Sequence, residues 1–443
     1  MQNLQNTTTK KGFKYWYLIV ILLCLGWTAV WIYRTILTPI YPEIQAALNI
    51  ASNAQIGLIA SVYFFSYTGM QIPAGLLVDR FGSKAILIPG FALFATGALV
   101  IGSATSITVV YVGSMLAGIG SGAYYGGAYS LSAKHIPTKN RTFANAIINS
   151  GSALGMAIGL IGSSALIKSM GLPWNIALYI SAGIILVAAV LFLLFIRNKN
   201  NANDTNGANA PATAPAVATK GTQATTPQAP QTDSSITAAA QPAKNKLFSL
   251  RSIANYALYF ATCYGYYMLV TWLPSFLESE RGFTGIAIGF SAALVAFASV
   301  PGALIFGRLV DRFRNKRIRF IVILELCAAA TFIAIVLVPD AALLLVGLIV
   351  YGLVGKLAVD PMLISLVSEG APTQKVGRFL TTFNFFGMSS SVVAPFVTGL
   401  ISDIFLTKVG GFYLACGLIV VCTTFFFIVN TKSKAAKAAK QAA

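Results

Sequence analysis

Apolar stretches, each about 20 residues long or longer, recur along the whole chain. A helix of that length crosses the hydrocarbon core of a bilayer. Only 10% of the 443 residues are charged and 56% are hydrophobic, so lipid has to cover most of the surface. The pattern predicts an all-α membrane protein with twelve spans, at residues 15–41, 54–77, 85–104, 107–132, 143–167, 173–196, 252–277, 285–309, 319–338, 341–367, 379–402 and 410–430.

The basic residues predict how these spans are oriented. The formal net charge is +19, and nearly all Lys and Arg lie at the termini or in alternate loops. This placement is the positive-inside pattern. It predicts a multi-pass protein of the bacterial inner membrane with both termini cytoplasmic, and it argues against a nucleic-acid-binding surface.

The chain divides into two similar parts joined by a polar segment rich in Ala, Pro, Thr, Gln and Asn. Span 2 ends in the motif 75–82 (GLLVDRFG), and span 8 ends in a similar motif, 307–313 (GRLVDRF). A repeated signature predicts a duplicated transporter scaffold with its substrate site between the halves. We expect a cytoplasmic N-terminus (1–14), a six-helix bundle (15–197), a disordered cytoplasmic linker (198–248), a second six-helix bundle (249–430) and a cytoplasmic tail (431–443).

Residues 75–84 match the loop signature G-x-x-x-D-R-x-G-x-K, and on this motif the chain resembles the major facilitator superfamily. The resemblance covers the whole chain apart from the linker and the termini. It implies two pseudo-symmetric six-helix bundles and a cytoplasmic gate formed by Gly75, Asp79, Arg80, Gly82, Asp311 and Arg312. The alternative for these charges is a purely topogenic role.

Within that superfamily the chain is similar to the anion:cation symporter branch, which includes galactonate and hexuronate transporters. The similarity rests on Tyr33-Arg34 followed by Pro39, on 67–73 (YTGMQIP), on Trp272-Leu273-Pro274, and on 384–389 (NFFGMS) with Pro395. It implies import of a small organic anion. Galactonate-type members carry an aspartate directly before the span 1 arginine and a glutamate in span 4. This chain has Tyr33 and no acid in span 4, so their proton route is not carried over.

Arg34 lies inside span 1. A guanidinium within a membrane helix costs about 2.5–3.5 kcal/mol on insertion scales, and such charges mark transport pathways. We expect Arg34 to face a central cavity and to bind a substrate carboxylate through two parallel hydrogen bonds. The alternative is that Arg34 reaches outward to the headgroups, because it lies in the outer part of the span.

Lys356 and Asp360 are four residues apart in span 10 and therefore share one helix face. In one interpretation Asp360 takes up the coupling proton, and this frees Lys356 to meet an anion. The alternative is a static ion pair. The other candidate substrate contacts are Tyr67 and Gln71 in span 2, Asn149 in span 5 and Asn384 in span 11.

These features favour a secondary active transporter that imports a sugar acid or another monocarboxylate, with proton coupling, by alternating access. The expected partners are the substrate anion, a proton or another coupling cation and the lipid bilayer, and we expect a monomer without cofactor or metal. An enzyme is not expected, because the chain has one histidine and no nucleotide-binding loop. The alternatives are an importer of amino acids or other zwitterionic or polar solutes, a facilitator without ion coupling, and a non-transporting sensor.

Overall fold

The computed structural model describes residues 15–196, 247–313, 316–372 and 376–442, and every regular element in these ranges is helical. The first half contains α1 (Tyr15–Ile36), α2 (Tyr41–Leu48), α3 (Asn53–Phe81), α4 (Ser83–Gly102), α5 (Ile107–His135), α6 (Thr138–Ser163) and α7 (Asn175–Phe195). The second half contains α8 (Leu250–Ser279), α9 (Ile286–Arg312), α10 (Arg317–Leu337), α11 (Ala341–Val354), α12 (Lys356–Gly370), α13 (Val376–Phe405) and α14 (Val409–Ala442).

The predicted twelve-helix membrane fold is confirmed. Within the described ranges, ten helical segments are long and apolar enough to cross a membrane, judged by length and composition. The other two spans are α3 and α8, which have 29 and 30 residues. Both carry polar and aromatic side chains, and most of α8 is covered by protein instead of lipid. Helices that line a protein interior need less apolar surface than helices that face lipid.

Two predicted spans differ from the observed helices. Span 1 was expected at 15–41, but α1 ends at Ile36 and a short 3₁₀ turn, Thr38–Ile40, leads into α2. Pro39 lies in that turn and lacks the amide hydrogen that would continue the helix. Span 10 was predicted over 341–367, and the structure has one segment there that is long and apolar enough to cross a membrane, Ala341–Gly370, although Gly355 (φ −75°, ψ −154°) divides it into α11 and α12. A Cβ at Gly355 would lie 2.6 Å from the carbonyl oxygen of Tyr351, so the break requires glycine.

A ridge of small residues on α6 holds α1 close. A Cβ at Gly151 would lie 2.6 Å from the carbonyl oxygen of Cys24, and one at Gly155 would lie 2.3 Å from that of Thr28. Small residues let two membrane helices approach until their backbones touch. This contact fixes the position of α1, which carries Arg34.

Within the described residues, the halves approach each other most closely near one side of the molecule. The hydroxyl of Tyr15, at the start of α1, donates a hydrogen bond to the carbonyl oxygen of Phe195, at the end of α7. We call the side of the molecule on which these two residues lie the terminal side, and the opposite side the distal side. Near the distal side, a Cβ at Gly57 of α3 would lie 2.2 Å from the carbonyl oxygen of Pro395 in α13. Near the terminal side, a Cβ at Gly75 or Gly307 would have no heavy atom within 4 Å. Within the described residues, the space between the halves is therefore wider at the terminal side than at the distal side.

Candidate functional site

The guanidinium of Arg34 lies among aromatic rings from α1 and α3. Its Cζ is 4.3 Å from the ring centroid of Tyr67, and its Nε donates a 3.1 Å hydrogen bond to the hydroxyl of Tyr63. Three more rings lie between 5.1 and 5.4 Å from Cζ, those of Trp27, Trp31 and Phe64. Each cation–π contact is worth about 0.5–2 kcal/mol, so the rings offset part of the cost of holding the charge inside the protein.

Helical spacing explains this cluster. Trp27, Trp31 and Arg34 are four and three residues apart on α1, and Tyr63 and Tyr67 are four apart on α3, so each set shares one helix face. The Tyr63 and Tyr67 rings are stacked, with centroids 6.1 Å apart and planes at 12°. We call these residues, together with Phe64, the arginine cluster.

The arginine cluster leaves two hydrogen-bond donors without a partner. Nη2 of Arg34 and Nε1 of Trp31 are buried, and neither has an acceptor within the described part of the chain. Arg34 also has no acidic partner among the described residues. A buried donor without an acceptor costs about 1–3 kcal/mol, and more when it is charged.

Two tyrosines of α8, in the second half, pack against the arginine cluster. The ring of Tyr267 lies 5.0 Å from that of Phe64, and the ring of Tyr266 lies 6.5 Å from that of Trp31. Among the described residues, the hydroxyls of both tyrosines donate only to methionine sulfur, at 3.7 Å for Tyr266 and 3.6 Å for Tyr267. Thioether sulfur is a weak acceptor. These hydroxyls are therefore available to a solute that offers oxygen atoms.

Lys356 and Asp360 form an ion pair in the first turns of α12, beside the same tyrosines. The ammonium of Lys356 lies 5.6 Å from the Tyr266 ring and 5.7 Å from the Tyr259 ring. The side chains of the pair are 12% and 16% exposed. Lys356 binds Oδ2 of Asp360, whereas Oδ1 is buried without a partner. Arg34 and Lys356 thus contact neighbouring rings from opposite halves.

The structure places the other predicted substrate contacts at different distances from Arg34. Tyr67 belongs to the arginine cluster, and Gln71 lies one turn further along α3 without a contact to Arg34. Asn149 is exposed on α6 and accepts a 3.4 Å hydrogen bond from the Tyr129 hydroxyl. Asn384 is exposed on α13, one turn before Met388, whose sulfur contacts Tyr267. Asn149 and Asn384 are therefore not members of the arginine cluster.

The predicted gate motif lies at the open terminal side. Asp79 and Arg80 are exposed in the last turn of α3, and Gly82 ends that helix with φ +85°. Asp79 has no hydrogen-bond partner among the described residues, and the guanidinium of Arg80 lies 5.2 Å from the Phe81 ring. Arg312 is exposed at the end of α9, and the side chain of Asp311 lies outside the described residues. A lock formed by this motif stays a prediction.

Of the contacts that join the halves at the distal side among the described residues, two involve charged side chains. Asp403 of α13 accepts hydrogen bonds from the start of α3: from the Ser52 hydroxyl (2.7 Å), the Asn53 amide (2.7 Å) and side chain (2.9 Å), and the Ala54 amide (3.0 Å). The side chain of Lys168, only 4% exposed, lies 2.7 Å from Glu43 of its own half. The same ammonium lies 2.6 Å from a carboxylate oxygen of Glu278 in the other half.

Sequence reasoning missed several members of the site. Trp31 was not among the predicted substrate contacts, although the spacing of Trp27, Trp31 and Arg34 was a usable signal. Tyr266 and Tyr267 were interpreted only as tyrosines of span 7 that can line a cavity. Glu325 of α10 was not among the predicted site residues either, and the structure buries it at 1% exposure with a hydrogen bond from the Thr262 hydroxyl.

Comparison with known proteins agrees with this architecture. A probable sulfoacetate transporter of Cupriavidus necator is 25% identical over 69% of this chain and 67% of its own length. A probable galactarate/D-glucarate transporter of Escherichia coli is 22% identical over 95% of this chain and 96% of its own length. The crystal structure of a bacterial homolog of the human lysosomal transporter Spinster, in an inward-facing and unoccupied conformation, has a TM-score of 0.74. It is 16% identical and covers 94% of this chain and 96% of its own.

The family model described as Major Facilitator Superfamily matches residues 17–395, which span both halves and the segment between them. With the twelve helices, the two halves and the site between them, this match shows that the chain belongs to the Major Facilitator Superfamily.

Proposed function

We propose that this protein is a secondary transporter that imports a small organic acid anion, such as a sugar acid, and that Arg34 binds a carboxylate of the substrate. The observation that carries the proposal is the Arg34 guanidinium, which lies between the halves with a buried, unpartnered Nη2 and no acidic partner in the described ranges. Two parallel hydrogen bonds to a carboxylate are the arrangement that a guanidinium favours.

The surroundings of Arg34 favour a polyhydroxylated acid. The hydroxyls of Tyr266 and Tyr267 donate only to sulfur, and the Trp31 indole has no acceptor. These donors suit substrate hydroxyl and carboxylate oxygens. The names of the curated relatives, which refer to sulfoacetate and galactarate/D-glucarate, support an organic anion.

An amino acid fits the site less well. Its ammonium needs a carboxylate that is not already paired with a cation, but Asp360 forms an ion pair with Lys356, and Glu325 already accepts a hydrogen bond from Thr262. An extra cation beside Lys356 would also be repelled, whereas an acid group would be attracted.

In this proposal transport proceeds by alternating access, in which the site opens first to one side of the membrane and then to the other. The structure is closed at the distal side by Asp403 and Lys168 and open at the terminal side. If both termini are cytoplasmic, as the loop charges predict, this state faces inward. The opposite state would require the distal contacts to break and the gate motif at Asp79 and Arg80 to close. We further propose that Asp360 carries a coupling proton, because one of its oxygens is unpartnered beside the site.

Uptake by proteoliposomes tests the role of Arg34. Arg34→Gln removes the charge and keeps a donor, and we expect it to lower uptake of a sugar acid about 100-fold, since each hydrogen bond to a charged group contributes about 1.5–3 kcal/mol. The matched control is Arg251→Gln. Arg251 donates its Nε to Asn430 (2.8 Å) and lies away from the site. Uptake by folded Arg34→Gln protein at the parent rate would refute the proposal.

A further inference from the structure

Lys356 offers a second cation to the space that Arg34 faces. The two residues come from opposite halves, and Trp31 and Tyr266 lie between them. The ring centroid of Trp31 is 5.1 Å from the Arg34 Cζ, and that of Tyr266 is 5.6 Å from the Lys356 Nζ. The two cations therefore lie at opposite ends of a pair of neighbouring aromatic rings, whose centroids are 6.5 Å apart.

The Lys356–Asp360 pair is incompletely satisfied. Oδ1 of Asp360 is buried without a partner, and both side chains are mostly buried. A static buried ion pair is stable only when further hydrogen bonds satisfy its remaining oxygens and protons. Lys356 is also the first residue of α12, where the helix dipole favours a negative charge next to the lysine. These features leave Lys356 able to exchange Asp360 for an external anion.

The net charge of the side chains at the site determines how a bound monoanion and a bound dianion differ. Arg34 and Lys356 contribute two positive charges and Asp360 one negative charge, so these three residues together carry one positive charge when no substrate is bound. A bound monoanion neutralises that charge while the Lys356–Asp360 pair stays intact. A dianion neutralises both cations and leaves the buried Asp360 carboxylate without a counter-ion, so Asp360 has to take up one proton.

We propose that Lys356 is a second anion subsite, that the preferred substrate is a small dianion with an acidic group at each end, and that one proton binds to Asp360 for each dianion bound. The proposal rests on the proposed function, because Arg34 holds the first acidic group. In the binding step the substrate replaces Asp360 on the Lys356 ammonium. A proton from solvent forms an O–H bond on the Asp360 carboxylate, and no other covalent bond changes.

Several groups on neighbouring helices share the electrostatic environment of Asp360. Besides Lys356 on its own helix, they are Tyr259, Cys263 and Tyr266 of α8 and Glu325 of α10. Glu325 is the only carboxylate among them and is therefore the competing site for the proton.

Matched acids test the proposal by binding to the purified full-length protein. D-Glucarate and D-gluconate, and likewise tartrate and threonate, differ only in whether the second end is a carboxylate. Between about pH 6 and pH 8 these acids are fully ionised, because an ordinary carboxyl group has a pKa of about 4. We expect at least one diacid to bind more tightly than its matched monoacid. Its Kd should fall by up to about tenfold for each unit of decreasing pH, whereas the Kd of the monoacid should not change.

Variants separate the roles of the charged residues. Lys356→Gln, and the double variant Lys356→Gln/Asp360→Asn that avoids an unpaired buried carboxylate, should abolish the preference for the diacid. Both should still bind the monoacid. Asp360→Asn should abolish the pH dependence of diacid binding, and Glu325→Gln should keep it. Folding of each variant is checked by its thermal unfolding and its elution as a single species.

The outcomes distinguish the two proposals. Equal affinity for diacid and monoacid, or a diacid preference that survives in the double variant, would overturn the second subsite while leaving the role of Arg34 in place. A pH dependence lost in Glu325→Gln and kept in Asp360→Asn would overturn the assignment of the proton to Asp360. If no acid binds the parent more tightly than it binds Arg34→Gln, the proposed function itself fails.

Discussion

Asp403 joins the two halves by capping a helix that belongs to the other half. Its carboxylate accepts four hydrogen bonds from Ser52, Asn53 and Ala54 at the start of α3, at 2.7–3.0 Å. The N-terminus of a helix has free amide hydrogens and a positive dipole end, and both favour an anion. Because α13 and α3 must separate at this point when the distal side opens, the cap stabilises the distal-closed state alone.

The free energy that the Asp403 cap contributes to the distal-closed state can be estimated from its hydrogen bonds. Removal of an N-cap partner costs about 0.5–2 kcal/mol, and a net hydrogen bond to a charged group contributes about 1.5–3 kcal/mol. The carboxylate is partly exposed, so water replaces some of the lost contacts. We therefore expect Asp403→Ala to destabilise the distal-closed state by about 2 kcal/mol. Since 1.4 kcal/mol corresponds to a factor of ten, the ratio of closed to open protein should fall about 30-fold.

Spin labels on the two halves measure that ratio. Ala51 and Phe405 are exposed beside the cap, and labels there report the distance across the distal side once the five native cysteines have been replaced. Electron–electron double resonance in nanodiscs gives the fraction of each state. The matched control is Asp340→Ala. Asp340 caps α11 within one half, where Oδ1 accepts a 2.9 Å hydrogen bond from the Leu343 amide.

The expected result is a longer distance in Asp403→Ala and the parent distance in Asp340→Ala. If both variants show the parent distribution, the cap does not hold the distal side closed and the reasoning is refuted. An equal shift in both would show that the loss of any helix cap changes the equilibrium, which would also refute a specific contact between the halves.

Two further predictions concern the same side. A Cβ at Gly289 would lie 2.1 Å from the carbonyl oxygen of Leu160, so Gly289→Ala should disfavour the distal-closed state and slow uptake at least tenfold. The control is Gly183→Ala, where a Cβ has no atom within 4 Å and uptake should stay unchanged. Uptake by Gly289→Ala at the parent rate would contradict the importance of this contact. Lys168→Met should lengthen the spin-label distance, as Asp403→Ala does, because it leaves Glu278 without its partner from the other half. An unchanged distance would exclude a role for this ion pair in closing the distal side.

The helices could be predicted from the sequence because each span is a local property. An apolar run of sufficient length has to form a helix in lipid, since every backbone polar group must be paired within the segment. The Lys356–Asp360 pair was predictable for the same reason, because residues four apart on one helix are neighbours wherever the helix lies. The break at Gly355 was not predictable, because it depends on how closely the Tyr351 carbonyl approaches.

The surroundings of Arg34 were only partly predictable. Periodicity places Tyr63 and Tyr67 on one face of α3, but it does not say which helix that face meets. Asn149 and Asn384 were predicted as substrate contacts from their place in the spans, and the structure leaves both exposed and without a contact to Arg34. The distance from Asn149 to Arg34 depends on how α6 packs on α1 within one half. The distance from Asn384 to Arg34 depends on how far the halves have separated, and no single span encodes either quantity.

The sequence alone determined a twelve-helix membrane protein with two related halves, because span length, apolar composition and a repeated motif are read along one dimension. The tertiary structure alone decided that Arg34 and Lys356 line one aromatic wall, that Asp403 caps a helix 350 residues away in sequence, and that the molecule is closed at the distal side. These features are contacts between distant segments. Their free energies depend on how whole helices pack, and the periodicity of one helix does not contain that information.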